Sequence, residues 1–138
     1  MSATAAPPVA KPDLSVRIGT LTLGGPVLAA SGTYGYGDEF GARYALERLG
    51  GIVTKTVTLK PRAGNPPHRM VETPSGMLNS IGLENVGLKA FITGKLPGLV
   101  AVPTAIVASV GGETTGELVR LIRALEAAPC AGYEINYS

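Results

Sequence analysis

The sequence is short of cysteine and of net charge, and each scarcity removes a class of explanation. A lone cysteine, Cys130, can form neither an internal disulfide nor a zinc knuckle, and it fits a reducing compartment. Lys plus Arg total 12 against 10 Asp plus Glu, a net charge of +2 that is too small to argue for nucleic acid or a membrane surface. No apolar run approaches the ~20 residues of a membrane helix. Residues 1–13 are rich in Ala and Pro and lack a sustained apolar stretch, so they read as a loose tail and not a secretory signal. The expectation is a cytoplasmic protein with no nucleic-acid or membrane partner.

What is present is apolar and glycine-rich. Hydrophobic residues make up 45% of 138, enough to bury one core, and glycines number 19. Two short alternating runs, 14–18 and 21–23, predict an antiparallel hairpin. The continuous apolar run 27–30 predicts a strand buried on both faces. Asp38 is placed to cap a helix over 39–49, ended by Gly50-Gly51. A β-branched strand follows over 52–58. The stretch 60–84, with four prolines, reads as a long structureless connection, the kind that usually has a job. A helix over 85–96, a strand over 104–110, a helix opened by the Thr114/Glu117 capping box and a strand over 133–137 complete the pattern. Strand and helix alternate, which is the α/β rhythm. Four parallel strands suit either a small open sheet or the first half of a (β/α)₈ TIM barrel preceded by a β-hairpin, and a whole barrel needs about 250 residues.

Polar residues gather where the strands end: 31–37, 54–56 and 134–138, with 79–85 in the long connection. Lys55 is the sharpest of them. A lysine between Val53 and Val57 either snorkels to solvent or presents a fixed cation to a ligand that develops negative charge, and the strand-end setting favours the second. The 31–37 loop is either a flexible turn or backbone laid against a planar cofactor. It lacks the spacing of a dinucleotide fingerprint. Asn79 and Asn136 can each donate and accept, as a ligand with adjacent amide and carbonyl groups requires, or can cap backbone as loop asparagines commonly do. His68 reads as solvated or packing, and Cys130 as a small filler before the last strand.

The runs Ala30-Ser31-Gly32-Thr33-Tyr34-Gly35-Tyr36-Gly37, Thr54-Lys55-Thr56, Pro61-Arg62-Ala63-Gly64-Asn65-Pro66, the stretch from Glu72 to Asn85, and Glu134-Ile135-Asn136-Tyr137-Ser138 resemble, in order and spacing, the class 1B dihydroorotate dehydrogenases. The resemblance spans 14–138. It implies a TIM barrel holding FMN at its carboxyl-terminal mouth and oxidising dihydroorotate to orotate in pyrimidine biosynthesis. It assigns Ser31, Lys55, Thr56 and Asn136 to the flavin. It assigns Lys55, Asn79, Ser80, Ile81, Gly82, Leu83 and Asn136 to the substrate. In the family the last motif continues into Cys-Pro-Asn, whose cysteine is the base, so the base is expected just beyond Ser138 and this chain is expected to be inactive by itself. The wording of 72–77 favours the class that works with a partner subunit carrying FAD and a 2Fe–2S cluster, as an oligomer when complete. Ser109 departs from the asparagine of many relatives, and Tyr137 from a small aliphatic residue. Two other readings remain: a dihydropyrimidine dehydrogenase-like flavin barrel, and a non-catalytic half-barrel that binds a ligand or subunit.

Overall fold

The computed structural model describes residues 12–37 and 45–137. A four-stranded sheet organises them. Its strands are β3 (Leu28–Ala29), β4 (Gly51–Val53), β7 (Ala105–Gly111) and β8 (Gly132–Asn136), all parallel and lying in the order in which the chain makes them. Each crossover therefore advances in the same direction, and the helices collect on one face. On that face Ile52, Ile106, Ala108 and Val110 pack against Phe91, Leu96, Leu99, Leu121 and Leu125, all of them buried. The sheet's other face carries Val53, Val107, Ser109 and Asn136, because side chains alternate along each strand.

The hairpin forms from β1 (Val16–Ile18) and β2 (Leu21–Leu23), with Val16 opposite Leu23 and Leu23 buried. Strand β3 is shorter than expected and is not closed in on both faces. Leu28 and Ala29 are half-buried, since β3 lies at the end of the strand order and pairs only with β4. The helix expected over 39–49, with its Asp38 cap, falls largely outside the described residues. The part inside is a single 3-10 turn, Leu46–Arg48, followed by an extended Leu49.

The connection 60–84 is not structureless. It contains an antiparallel hairpin of β5 (Met70–Thr73) and β6 (Gly76–Asn79), joined through Pro74 and Ser75. Every residue of both strands is exposed, so no apolar–polar alternation marks them in the sequence. The helix expected over 85–96 starts two residues later and runs further. It comprises α1 (Gly87–Ala90), a π turn (Phe91–Lys95) and α2 (Leu96–Val100). The Leu96 N–H bonds the Phe91 carbonyl, five residues back, which carries the chain past Pro97 in the first turn of α2. Helix α3 (Thr115–Leu125) has the expected cap: Thr114 accepts the Glu117 N–H, while the Glu117 carboxylate accepts the N–H of Glu113 at 2.8 Å. Among the described residues no helix is long and apolar enough to cross a membrane.

Candidate functional site

Lys55 is placed by a bulge. Val53 pairs with Val107 and Val57 bridges Val110, so three residues of the first strand face two of its neighbour. The extra residue shifts the phase of the strand. Ile52 and Val57, five apart, both enter the core, which strict alternation forbids. The ladder bonds resume on either side, Thr54 N–H to the Val107 carbonyl and Val57 N–H to that of Ser109. Between them the Lys55 N–H turns away to the carbonyl of Gly35 at 2.8 Å, and the Thr54 hydroxyl accepts the Ser109 N–H that the bulge leaves without a ladder partner. The expected uninterrupted strand over 52–58 is corrected accordingly. The interruption lifts the lysine out of the sheet, at the carboxyl end of the strand, with its side chain half-buried.

A hydroxyl and amide ladder runs beside it. The Thr56 and Ser109 hydroxyls lie 3.0 Å apart, and the Asn136 Nδ2 donates to the Thr56 Oγ1 at 3.2 Å. That last bond passes over Gly111, where a Cβ would meet the Thr56 methyl at 2.9 Å. The glycine lets residues from the first and third strands of the trio meet across the second.

The opposite wall is the 79–85 loop, held from behind. Asn65 accounts for both carbonyls of Ser80 and Ile81, through Nδ2 at 2.7 Å and its N–H at 3.0 Å. Arg69 pairs with Glu84 and also reaches the Asn65 carbonyl. Gly64 has a φ of +72°, and a Cβ there would sit 2.4 Å from the Ile81 oxygen, so the strut and the loop touch backbone to backbone. Asn85 closes the loop. It is buried, its amide bonds the Thr58 hydroxyl and the Leu83 carbonyl, and its Oδ1 accepts from Thr58 and Gly87. Leu83 is held at a φ of +52°, a conformation that costs a non-glycine residue about 1–3 kcal/mol.

Between these walls lies a cavity of about 600 Å³. Ser31, Gly32, Thr33, Lys55, Thr56, Asn79, Ile81, Leu83 and Asn136 line it, together with Arg69, Glu84, Met70 and Met77. Of the residues singled out from the sequence, Ser80 and Gly82 do not line it. Ser80 is engaged with Arg69 and Asn65, and Gly82 packs on Asn65. The sequence reading missed Arg69, Glu84, Met70 and Met77. The hairpin that carries the two methionines had no periodic signal, and an Arg and a Glu fifteen residues apart give none until the chain folds. Cys130 lies at the other end of the sheet, where its neighbour Ala131 bonds Ile106 at the start of β7, and burial pushes its thiol above the usual range. His68 is exposed. Among the described residues no cluster of His, Cys, Asp and Glu could hold a metal ion. The cavity offers two cations and one carboxylate, two amides, several hydroxyls and an apolar side. That set suits a flat, hydrogen-bonding ring beside an anionic ligand.

Residues 13–138 match the dihydroorotate dehydrogenase family. Over 129 residues the chain is 53% identical to the dihydroorotate dehydrogenase B (NAD(+)) catalytic subunit of Trichlorobacter lovleyi, covering 93% of this chain and 42% of that protein. The catalytic subunits of the same name from Geotalea daltonii and Geobacter sulfurreducens are 51% and 50% identical, covering 94% and 93% of this chain and 43% and 42% of theirs. The chain thus spans less than half the length of the curated relatives it matches.

Proposed function

The chain belongs to the dihydroorotate dehydrogenase family, and on that premise we propose that it forms the first four strands of an FMN-binding (β/α)₈ barrel that oxidises dihydroorotate to orotate in the cytoplasm. One observation carries the reading: Ser31, Lys55, Thr56, Asn79 and Asn136, from four separate segments, line one cavity. The sequential parallel order β3-β4-β7-β8 is the order a barrel wall needs.

The cavity residues fit FMN on their own chemistry. The Gly32–Thr33 backbone and the Ser31 and Thr56 hydroxyls suit the edge of a flat ring, and Lys55 suits the side on which negative charge develops. When bound, FMN supplies the acceptor for the substrate's hydride. Asn79 and Asn136 hold the amide and carbonyl groups of the substrate ring and so fix its face. The cavity-lining residues of this loop, Asn79, Ile81 and Leu83, held in place by Asn65, receive the carboxylate, and the Ile81 and Leu83 side chains exclude water from that side. A proton must also leave the substrate carbon, and the family pattern assigns that task to a cysteine following Ser138. A partner subunit with FAD and a 2Fe–2S cluster completes electron transfer in an oligomer. That reading takes support from relatives named as NAD(+)-linked catalytic subunits.

Orotate titration of the FMN-loaded protein that carries this chain, followed by flavin absorbance, tests the assignment. Asn79→Ala and Asn136→Ala are each expected to weaken orotate about tenfold, the loss of a buried hydrogen bond or two. Unchanged affinity in both would overturn it, as would tighter binding of uracil than of orotate.

A further inference from the structure

Tyr36 does not line the main cavity, yet it touches both loops that form it. It is the buried side chain of the glycine-rich loop, 4% exposed, and the neighbouring Gly37 is buried with it. Its phenol oxygen accepts the Val86 N–H at 3.1 Å, directly after the 79–85 loop. Next to it in the chain, the Gly35 carbonyl accepts the Lys55 N–H. The ring is clamped from the π turn, with the Phe91 ring centroid at 5.8 Å and the Lys95 Nζ at 5.6 Å from its own. Behind it, Gly37 is pressed so closely on Leu99 that a Cβ would sit 2.5 Å from the Leu99 Cδ2. The loop therefore has little room to slide.

The start of the long helix explains why a hydroxyl matters here. The first N–H groups of a helix have no partner within it. Here three of them are distributed among three segments of the site: Val86 to the Tyr36 hydroxyl, Gly87 to the Asn85 side chain, and Leu88 to the Thr58 carbonyl. Tyr36 is the glycine-rich loop's share of that arrangement.

We propose that Tyr36 is a positioning residue whose hydroxyl ties the end of the substrate loop to the glycine-rich loop, so that the two walls of the cavity keep one spacing. What the cavity binds rests on the function proposed above; the tie between the loops does not.

Tyr36→Phe keeps the ring between Phe91 and Lys95 and removes only the hydroxyl. In the FMN-loaded protein that carries this chain, the KM for dihydroorotate is expected to rise about fivefold, with kcat and FMN affinity held within about twofold. Amide exchange across 79–86 is expected to quicken by a similar factor. Val86→Pro removes the donor from the other side at a φ of −78°, which a proline ring accepts. It should give the same shift, and the double variant should add nothing further. A lowered Tm with unchanged KM and unchanged exchange would overturn the proposal, and so would full additivity of the two changes. If the unsubstituted protein neither holds FMN nor turns over dihydroorotate, the functional reading fails and exchange alone decides: faster exchange in 79–86 upholds the tie, and unchanged exchange overturns it.

Discussion

Single residues carry their information in where the backbone puts them. A lysine inside a β-branched strand was legible as an anomaly, and so were Asn79 and Asn136 as donor–acceptor residues at strand and loop ends. The bulge that turns Lys55 out of the sheet was not, because an extra residue leaves the apolar pattern of 52–57 looking like an ordinary strand. Cys130 shows the converse, a conspicuous residue that does not line the cavity. Burial alone raises its thiol. A raised acid group in the folded state contributes stability that is present below the usual thiol range, near pH 8.5, and is lost as pH rises through the folded value. Iodoacetamide at mildly alkaline pH is therefore expected to alkylate Cys130 more slowly in the native chain than after unfolding in urea. Equal rates in the two states would show that the thiol is open.

At the scale of elements, legibility followed periodicity. Helix α3 was readable from end to end because Leu118, Leu121, Ile122 and Leu125 repeat at helical spacing and Thr114 and Glu117 announce its start. Thr114→Ala removes the oxygen that accepts the Glu117 N–H and is expected to cost about 1 kcal/mol, seen as a lower urea midpoint with an unchanged slope. No shift in the midpoint would mean that Glu117 holds the helix start alone. The β5–β6 hairpin could not be read, since exposure of every residue erases alternation. The long helix was read with the wrong ends. Asn85 leaves the helical run to bond Thr58, and the π turn carries the run past a proline that by itself signals a stop.

The whole molecule is a wall with a furnished end. Among the described residues strands β3 and β8 terminate the sheet, and Ile135 on β8 is 45% exposed. The core binds the helices to one face and leaves the strand ends to the cavity, so the fold and the site depend on the same strands without sharing side chains. The α/β class followed from the alternation of elements, whereas the cavity's full lining required the tertiary path of 60–85, which composition could not give. The most direct measurement is anaerobic mixing of dihydroorotate with the FMN-loaded protein that carries this chain, followed by the flavin's visible absorbance. Bleaching by dihydroorotate and not by dihydrouracil, slowed about a hundredfold or more by Lys55→Met, is the expected result. Bleaching by dihydrouracil, or a Lys55→Met variant as fast as the parent, would contradict the role given to this cavity.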